Sequence, residues 1–317
     1  MKSVVVLLAL AALDPGYWVA LRAVDARMAT VAYRLARANA PLCRELQPVT
    51  GIQLHAIDQY GSDMQAAARA AFGFARPVQV EVVAPGSPAA RAGVQADDAL
   101  LAIDGRVVPA PGRTAGTSAT RDAAQALIAN QPADRPLPLT LERDGVRRTV
   151  TLPASPGCRG SFEVLLGPGL KATSDGRVVQ VGVRFFELFD DDAIAAIVAH
   201  ELAHTVLRHR VRLEAAGVQW GLAAQFGRNA RLFRRTEADA DRLSVHLLRN
   251  AGYDPGAAIR FWREQGGRID GGAFRSPTHP SARARADAIA AEVATLPPTG
   301  QRDDAPAVLA TRDEPLD

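Results

Sequence analysis

Apolar residues recur every three to four positions along some stretches of the chain and every second position along others, so both helix and strand are expected. Residues 27–46 carry Met28, Val31, Leu35 and Ala38 at helical spacing and stop near Pro48; an alanine-rich helical stretch covers 62–71. From about residue 72 the pattern shortens into β-type runs at 78–83, 100–103, 137–141 and 148–152. Turn signals separate them, among them Pro85-Gly86-Ser87-Pro88, Asp104-Gly105 and Asp144-Gly145. Residues 120–129 read as a short helix with Ala124, Leu127 and Ile128 on one face, and 109–118 as a loop. Longer elements return after 161. Strands are expected at 162–166 and 178–183, joined by a turn at Asp175-Gly176. Asp190, Asp191 and Asp192 then open a helix at its electropositive end. It runs from 193 to about 210 on Ile194, Ile197, Val198, Leu202 and Leu207. A further helix covers 237 to about 250 and stops at Ala251-Gly252-Tyr253-Asp254-Pro255; the polar, proline-punctuated last 20 residues are expected to be disordered.

The beginning of the chain has another character. Lys2 followed by the apolar run 3–13 resembles the charged and hydrophobic regions of a secretory signal, broken by Asp14-Pro15, with Val24-Asp25-Ala26 as the best cleavage option. Export is therefore expected, to the periplasm or envelope. Two cysteines, Cys43 and Cys158, fit either one disulfide of an exported protein or two buried thiols. A bridge would enclose everything between them, the pattern an inserted domain gives. Charge narrows the function classes. The net charge of +3 is small for 317 residues, and the cations are arginines except Lys2 and Lys171, scattered rather than striped, so no nucleic-acid partner is indicated. No run of 18 apolar residues occurs, which argues against a polytopic membrane protein.

The β-rich block carries Gly86-Ser87-Pro88-Ala89-Ala90-Arg91-Ala92-Gly93-Val94 and then Asp97-Asp98-Ala99-Leu100-Leu101-Ala102-Ile103-Asp104-Gly105. It resembles a bacterial PDZ domain, which usually has Gly-Asp where this chain has Asp97-Asp98. By that resemblance Phe72, Gly73 and Phe74 occupy the carboxylate-binding loop. A C-terminal peptide would then add as a strand, its carboxylate held by the N–H groups of Gly73 and Phe74.

The chemistry concentrates at His200-Glu201-Leu202-Ala203-His204, an H-E-x-x-H motif inside a strongly periodic helix. The spacing puts both imidazoles on one face, within reach of one Zn2+, and leaves Glu201 beside it as a base rather than a ligand. A third ligand is expected from Glu237, at the start of the next well-marked helix. Asp241, one turn on, is placed to accept the outer N–H of a ligating histidine. His209 reads as a cation at the helix C-terminus, pointing away from the metal face; His246 reads as packed or solvated, and His55 has no evident partner. The apolar, glycine-spaced stretch 217–226 and the arginines at 228, 231, 234 and 235 read as a helical hairpin on the core, a lid over the cleft, or a peripheral membrane contact.

Together with Glu237-Ala238-Asp239-Ala240-Asp241-Arg242 and Thr278-His279-Pro280-Ser281, the H-E-x-x-H motif resembles the CAAX prenyl endopeptidase/HtpX family of zinc metallopeptidases, here over about 160–290. Within that family the likeness is to soluble, exported members with an inserted PDZ domain. The resemblance implies an α+β fold, a mainly helical gluzincin-like core carrying a β-rich insert, with one Zn2+ per chain held by His200, His204 and Glu237. It implies catalysis by Glu201, with His279 as a second donor to the oxyanion or as a structural histidine. The domains expected are a signal peptide at 1–26, an N-terminal helical piece of the peptidase at 27–71, the PDZ domain at 72–155, the peptidase at 156–295 and a tail at 296–317. The transmembrane helices of the prenyl-protease branch have no counterpart in the sequence, a departure that puts prenylated substrates in doubt. The function expected is endopeptidase action on unfolded or misassembled envelope proteins, with the PDZ domain recruiting or regulating polypeptide substrate. The alternative is a non-proteolytic or latent envelope chaperone or PDZ adaptor with an occluded zinc site.

Overall fold

The computed structural model describes residues 14–221, 226–269 and 278–316. The apolar run 3–13 lies outside them. The chain divides into two compact units, one of residues 1–33 and 46–157, the other of 34–45 and 158–317.

The first unit begins in helix α1 (Pro15–Ala38), which contributes 15–33 here and 34–38 to the second unit. Strand β1 (Leu46–Pro48) follows, then β2 (Ile52–Ala56), helix α2 (Gln65–Phe72), β3 (Val78–Val83), the one-turn helix α3 (Pro88–Arg91), β4 (Ala99–Ile103), β5 (Arg106–Val107), α4 (Ala119–Ala129), β6 (Leu137–Arg143), β7 (Val146–Leu152) and β8 (Pro156–Cys158). One sheet runs β2-β3-β4-β6-β7 with β5 beside β4, while β1 pairs with β8. Leu54, Val80, Leu100, Ile103, Leu139 and Leu141 point to one side of it and pack with Ala124 and Ile128 of α4, as period-2 strands against an amphipathic helix should. The strand β2 was not among those expected. It pairs antiparallel with β3, Ile52 opposite Val83 and Ala56 opposite Val78, and so draws the unit's boundary back from 72 to Leu46.

Asp97, where glycine is usual, has φ +68°. A non-glycine residue there is strained, and its carboxylate is used: Arg22 of α1 donates to both its oxygens, at 2.5 and 3.1 Å. Asp98 is fully buried and accepts from Arg143 and Arg148. Trp18 of α1 is buried edge-on against Tyr60 and Phe72, and the cleavage option Val24-Asp25-Ala26 falls inside this helix.

The second unit contains β9 (Ser161–Leu165), β10 (Ala172–Ser174), β11 (Val178–Gly182), α5 (Val183–Leu188), α6 (Asp191–Val206), α7 (His209–Ala215), α8 (Gly227–Asn250), α9 (Gly256–Ile269) and α10 (Ala282–Val293). The sheet order is β10-β11-β9. The turn at Asp175-Gly176 therefore joins β10 to β11; β11 lies parallel to β9, a pairing that needs a crossover rather than a tight turn. Helix α6 starts as expected, with the Asp190 carboxylate accepting from the N–H of Ala193 at 2.9 Å. It ends earlier than expected. Leu207 caps it, Arg208 takes φ +56°, and α7 begins at His209. Helix α8 starts ten residues before Glu237, and only part of the 217–226 stretch is described.

Cys43 and Cys158 are disulfide-bonded, tying the 34–45 piece of this unit to the start of its main piece. Residues 296–316 are ordered against the unit, contrary to the expected tail. Val308 and Leu316 are buried, Asp313 is paired with Arg44 and Arg208, and Arg312 donates to the carbonyl of Leu42. Among the described residues no helix is long and apolar enough to cross a membrane.

Candidate active site

Helices α6 and α8 pack along each other and bring the residues singled out in the sequence to one place. One ligand atom each from His200, His204 and Glu237 lies within 4.8 Å of the others. Glu237 Oε2 is 3.2 Å from His200 Nε2, and Oε1 is 3.5 Å from His204 Nε2; the two Nε2 atoms are 3.2 Å apart. The i,i+4 spacing turns both rings to one helix face, and Glu237 sits opposite at the same level of α8. Both outer nitrogens have partners. Asp241 Oδ1 is 3.0 Å from His200 Nδ1, and His209 Nδ1 is 2.9 Å from His204 Nδ1. That leaves the two inner nitrogens and a carboxylate converging, a donor set that fits a divalent cation with mixed nitrogen and oxygen preference.

Burial and charge set the protonation of these groups in opposite directions. Burial and the nearby Arg285 oppose a charge on His200, but the Asp241 and Glu237 carboxylates outweigh them and raise it to about 9. His204, buried and without a carboxylate on its outer nitrogen, is lowered to about 4. Burial acts against the ionised form of Glu237, yet its histidine neighbours hold it well below the usual carboxylate range. Glu201 is buried beside the triad and burial, seconded by the charge of Glu237, raises it to about 7.

His279 lies at the rim with its side chain 44% exposed, Nε2 3.7 Å from Glu237 Oε2 and Nδ1 2.9 Å from Thr278 Oγ1. Partial desolvation at the rim, seconded by the charges of Arg285 and His200, lowers its pKa and so favours the neutral ring. The cleft has a volume of about 520 Å³. Its walls include the candidate ligands His200, His204 and Glu237, Ala172 to Ser174 of β10, Trp220, Trp262 and His279.

Two residues of this site were not read from the sequence. Arg285 of α10 is buried, donates to both oxygens of Asp241 at 2.7 and 2.6 Å, and stacks on Trp262 at 3.7 Å. Nothing marks it among the other arginines except its place six residues after His279. His209 was read as a cation pointing away. The left-handed turn at Arg208 instead folds it back onto His204, where it is buried and its pKa is held well below the ordinary value by burial. His246, by contrast, is packed as expected, with Nε2 3.0 Å from Glu292 Oε1.

The expected peptide loop is a correction. Phe72 and Phe74 are buried in a cluster with His55 and Tyr60, and the Gly73 N–H is already used to cap α2 on Arg69 O at 2.9 Å. Strand β3, which follows that loop, has β2 on one edge and β4 on the other, so no peptide can add beside it. His55, which lacked a partner in the sequence, is buried in β2 with Nδ1 3.0 Å from the Tyr60 hydroxyl.

Residues 79–143 match the PDZ domain family, and residues 213–293 match Peptidase family M48. The second match starts after His204 and takes in Glu237, Asp241, His279 and Arg285. Site and matches thus point one way: one segment of the chain is similar to Peptidase family M48, another to PDZ domains, and the first contains Glu237, which meets His200 and His204 in a group able to hold a metal ion. Among characterised proteins the chain is similar to the mitochondrial metalloendopeptidase OMA1 of Schizosaccharomyces pombe, at 28% identity over 30% of this chain and 34% of that protein. It spans about a third of the length of the relative it matches.

Proposed function

We propose that this protein is a zinc-dependent endopeptidase acting on unfolded or misassembled polypeptides of the cell envelope, its PDZ domain recruiting or regulating them. The observation that carries the reading is the convergence of His200 Nε2, His204 Nε2 and Glu237 within 4.8 Å, with Glu201 buried beside them. A zinc ion held by these three groups supplies Lewis acidity toward a carbonyl oxygen and toward water. Glu201, buried beside the three groups without being one of them, takes the proton of the attacking water and returns it to the leaving amine. His279 at the rim offers an N–H to the oxyanion. Strand β10 is a terminal strand of its sheet and lines the cleft, so an extended polypeptide pairs with it and its scissile bond crosses the three ligands.

In the PDZ unit, the strand edge suited to peptide addition is that of β2, a terminal strand against which α4 packs. The envelope location rests on the signal-like run and on the disulfide, which persists in oxidising compartments. The test is proteolysis of an unfolded protein by the purified chain, metal-depleted and then restored with Zn2+. Cleavage that disappears on chelation and returns with stoichiometric zinc is expected; cleavage indifferent to chelation contradicts the proposal.

A further inference from the structure

Helix α7, His209–Ala215, is only seven residues long and follows a left-handed turn at Arg208. A helix this short does not hold itself in water. Three contacts with the chain's C-terminal stretch fasten it. Arg208 Nη1 donates to Asp313 Oδ1 at 3.1 Å, and Arg212 Nε donates to the Glu314 carbonyl at 3.0 Å. Leu316, 2% exposed, fills an apolar socket of Leu213, Val218 and Leu232.

What α7 holds in place is His209. Its ring is 1% exposed, and its Nδ1 lies 2.9 Å from His204 Nδ1, the rings nearly perpendicular at 77°. Nε2 of His209 is buried with no hydrogen-bond partner among the described residues, so His204 is the ring's one polar contact there. Two imidazole nitrogens in one hydrogen bond must be donor and acceptor. His204 turns Nε2 toward Glu237 and His200. If that nitrogen ligates a metal it carries no proton, so Nδ1 carries it and donates to His209, whose own proton must then sit on Nε2.

We propose that His209 is a positioning residue, fixing the ring and tautomer of His204, and that residues 313–316 act as a strap that holds His209 in register through α7. The inference rests on the metallopeptidase reading. It makes the hold on the metal depend on the C-terminal stretch, so that lifting the strap, by cleavage or by a partner, weakens the site without touching a ligand.

The experiment is titration of the metal-depleted full chain with Zn2+ against a competing chelator, with far-UV circular dichroism as the check on folding. His209→Phe keeps the ring volume and removes the acceptor; its zinc Kd should rise about 10- to 100-fold. His209→Gln, which restores an acceptor oxygen, should recover part of the loss. Leu316→Asp should raise Kd at least several-fold while leaving every ligand intact. In the zinc-loaded wild type, 15N shifts should report His209 protonated on Nε2. That reading needs no variant to fold. A folded His209→Phe with unchanged Kd, or His209 protonated on Nδ1 in the loaded wild type, overturns the positioning role. Unchanged Kd in Leu316→Asp overturns the strap. A wild type that binds no zinc overturns the metallopeptidase reading itself, and this inference with it.

Discussion

Replacing Arg285 with alanine tests the polar layer behind the candidate ligands without requiring any metal. Arg285 donates to both oxygens of Asp241, at 2.7 and 2.6 Å, and its guanidinium lies 3.7 Å over Trp262. Asp241 is buried and pulled below the ordinary carboxylate range, because Arg285, with His200, outweighs the effect of burial. Without Arg285 the Asp241 carboxylate keeps His200 as its remaining charged neighbour within 4 Å among the described residues. Breaking one side of a buried ion pair costs about 3–5 kcal/mol, since the desolvated partner is left behind. For a unit of this size that corresponds to a fall of roughly 10 °C in Tm. Urea unfolding of the metal-depleted full chain, read by hydrogen exchange in α8 so that only the second unit is scored, gives the value directly. Pairing Arg285→Ala with Asp241→Asn closes a double-mutant cycle, and the second substitution should be cheaper in the absence of the first partner by about 2 kcal/mol or more. A single-variant cost below about 1 kcal/mol, or additivity of the two, would refute the reasoning.

Two further outcomes follow from the same geometry. In the first unit, burial pushes Asp25 up to about 6 and burial, with the charge of Asp25, pushes Glu81 well above its usual range. The folded unit then keeps protons that the unfolded chain releases near pH 4, so this pair's contribution falls as pH rises from about 4 through 6. The difference in unfolding free energy between wild type and Asp25→Asn should drift by on the order of 2–3 kcal/mol across that window, with the wild type losing ground; drift in the other direction contradicts the assignment. The Cys43–Cys158 bridge closes a loop with a sequence separation of 115, and chain entropy puts its removal at up to about 4–5 kcal/mol for the second unit. Denaturation of the Cys43→Ser, Cys158→Ser double variant measures it, and a cost under about 1 kcal/mol would show that the 34–45 piece is held by its other contacts alone.

Much of the site was legible because its signals are local. His200, Glu201 and His204 lie within one helical turn of α6, so their spacing marked them, and Glu237 and Asp241 lie one turn apart on α8, the next well-marked helix in the sequence. The PDZ domain was legible in its glycine turn and the run into β4. What escaped depends on pairing at a distance. Strand β2 is five residues long and meets β3 across an intervening helix, so its partner is invisible locally and the peptide loop was placed one strand too late. The break after α6 carries no glycine or proline; Arg208 takes the left-handed conformation instead, which hid the contact of His209 with His204. Arg285 reads as one more surface arginine until α10 turns it onto Asp241. The terminal stretch is polar enough to read as disordered, yet Val308 and Leu316 find apolar sockets and its carbonyls meet arginines.

The central claim is that Glu201 is the base of a metal-dependent peptide hydrolysis. It is tested by cleavage of an unfolded protein with the full chain and with Glu201→Gln, at matched and measured zinc content. The account predicts that the variant binds zinc like the wild type, since Glu201 is not a ligand, and loses cleavage by at least two orders of magnitude. Equal cleavage by the two proteins, or a variant that is silent because it has lost its zinc, would contradict it.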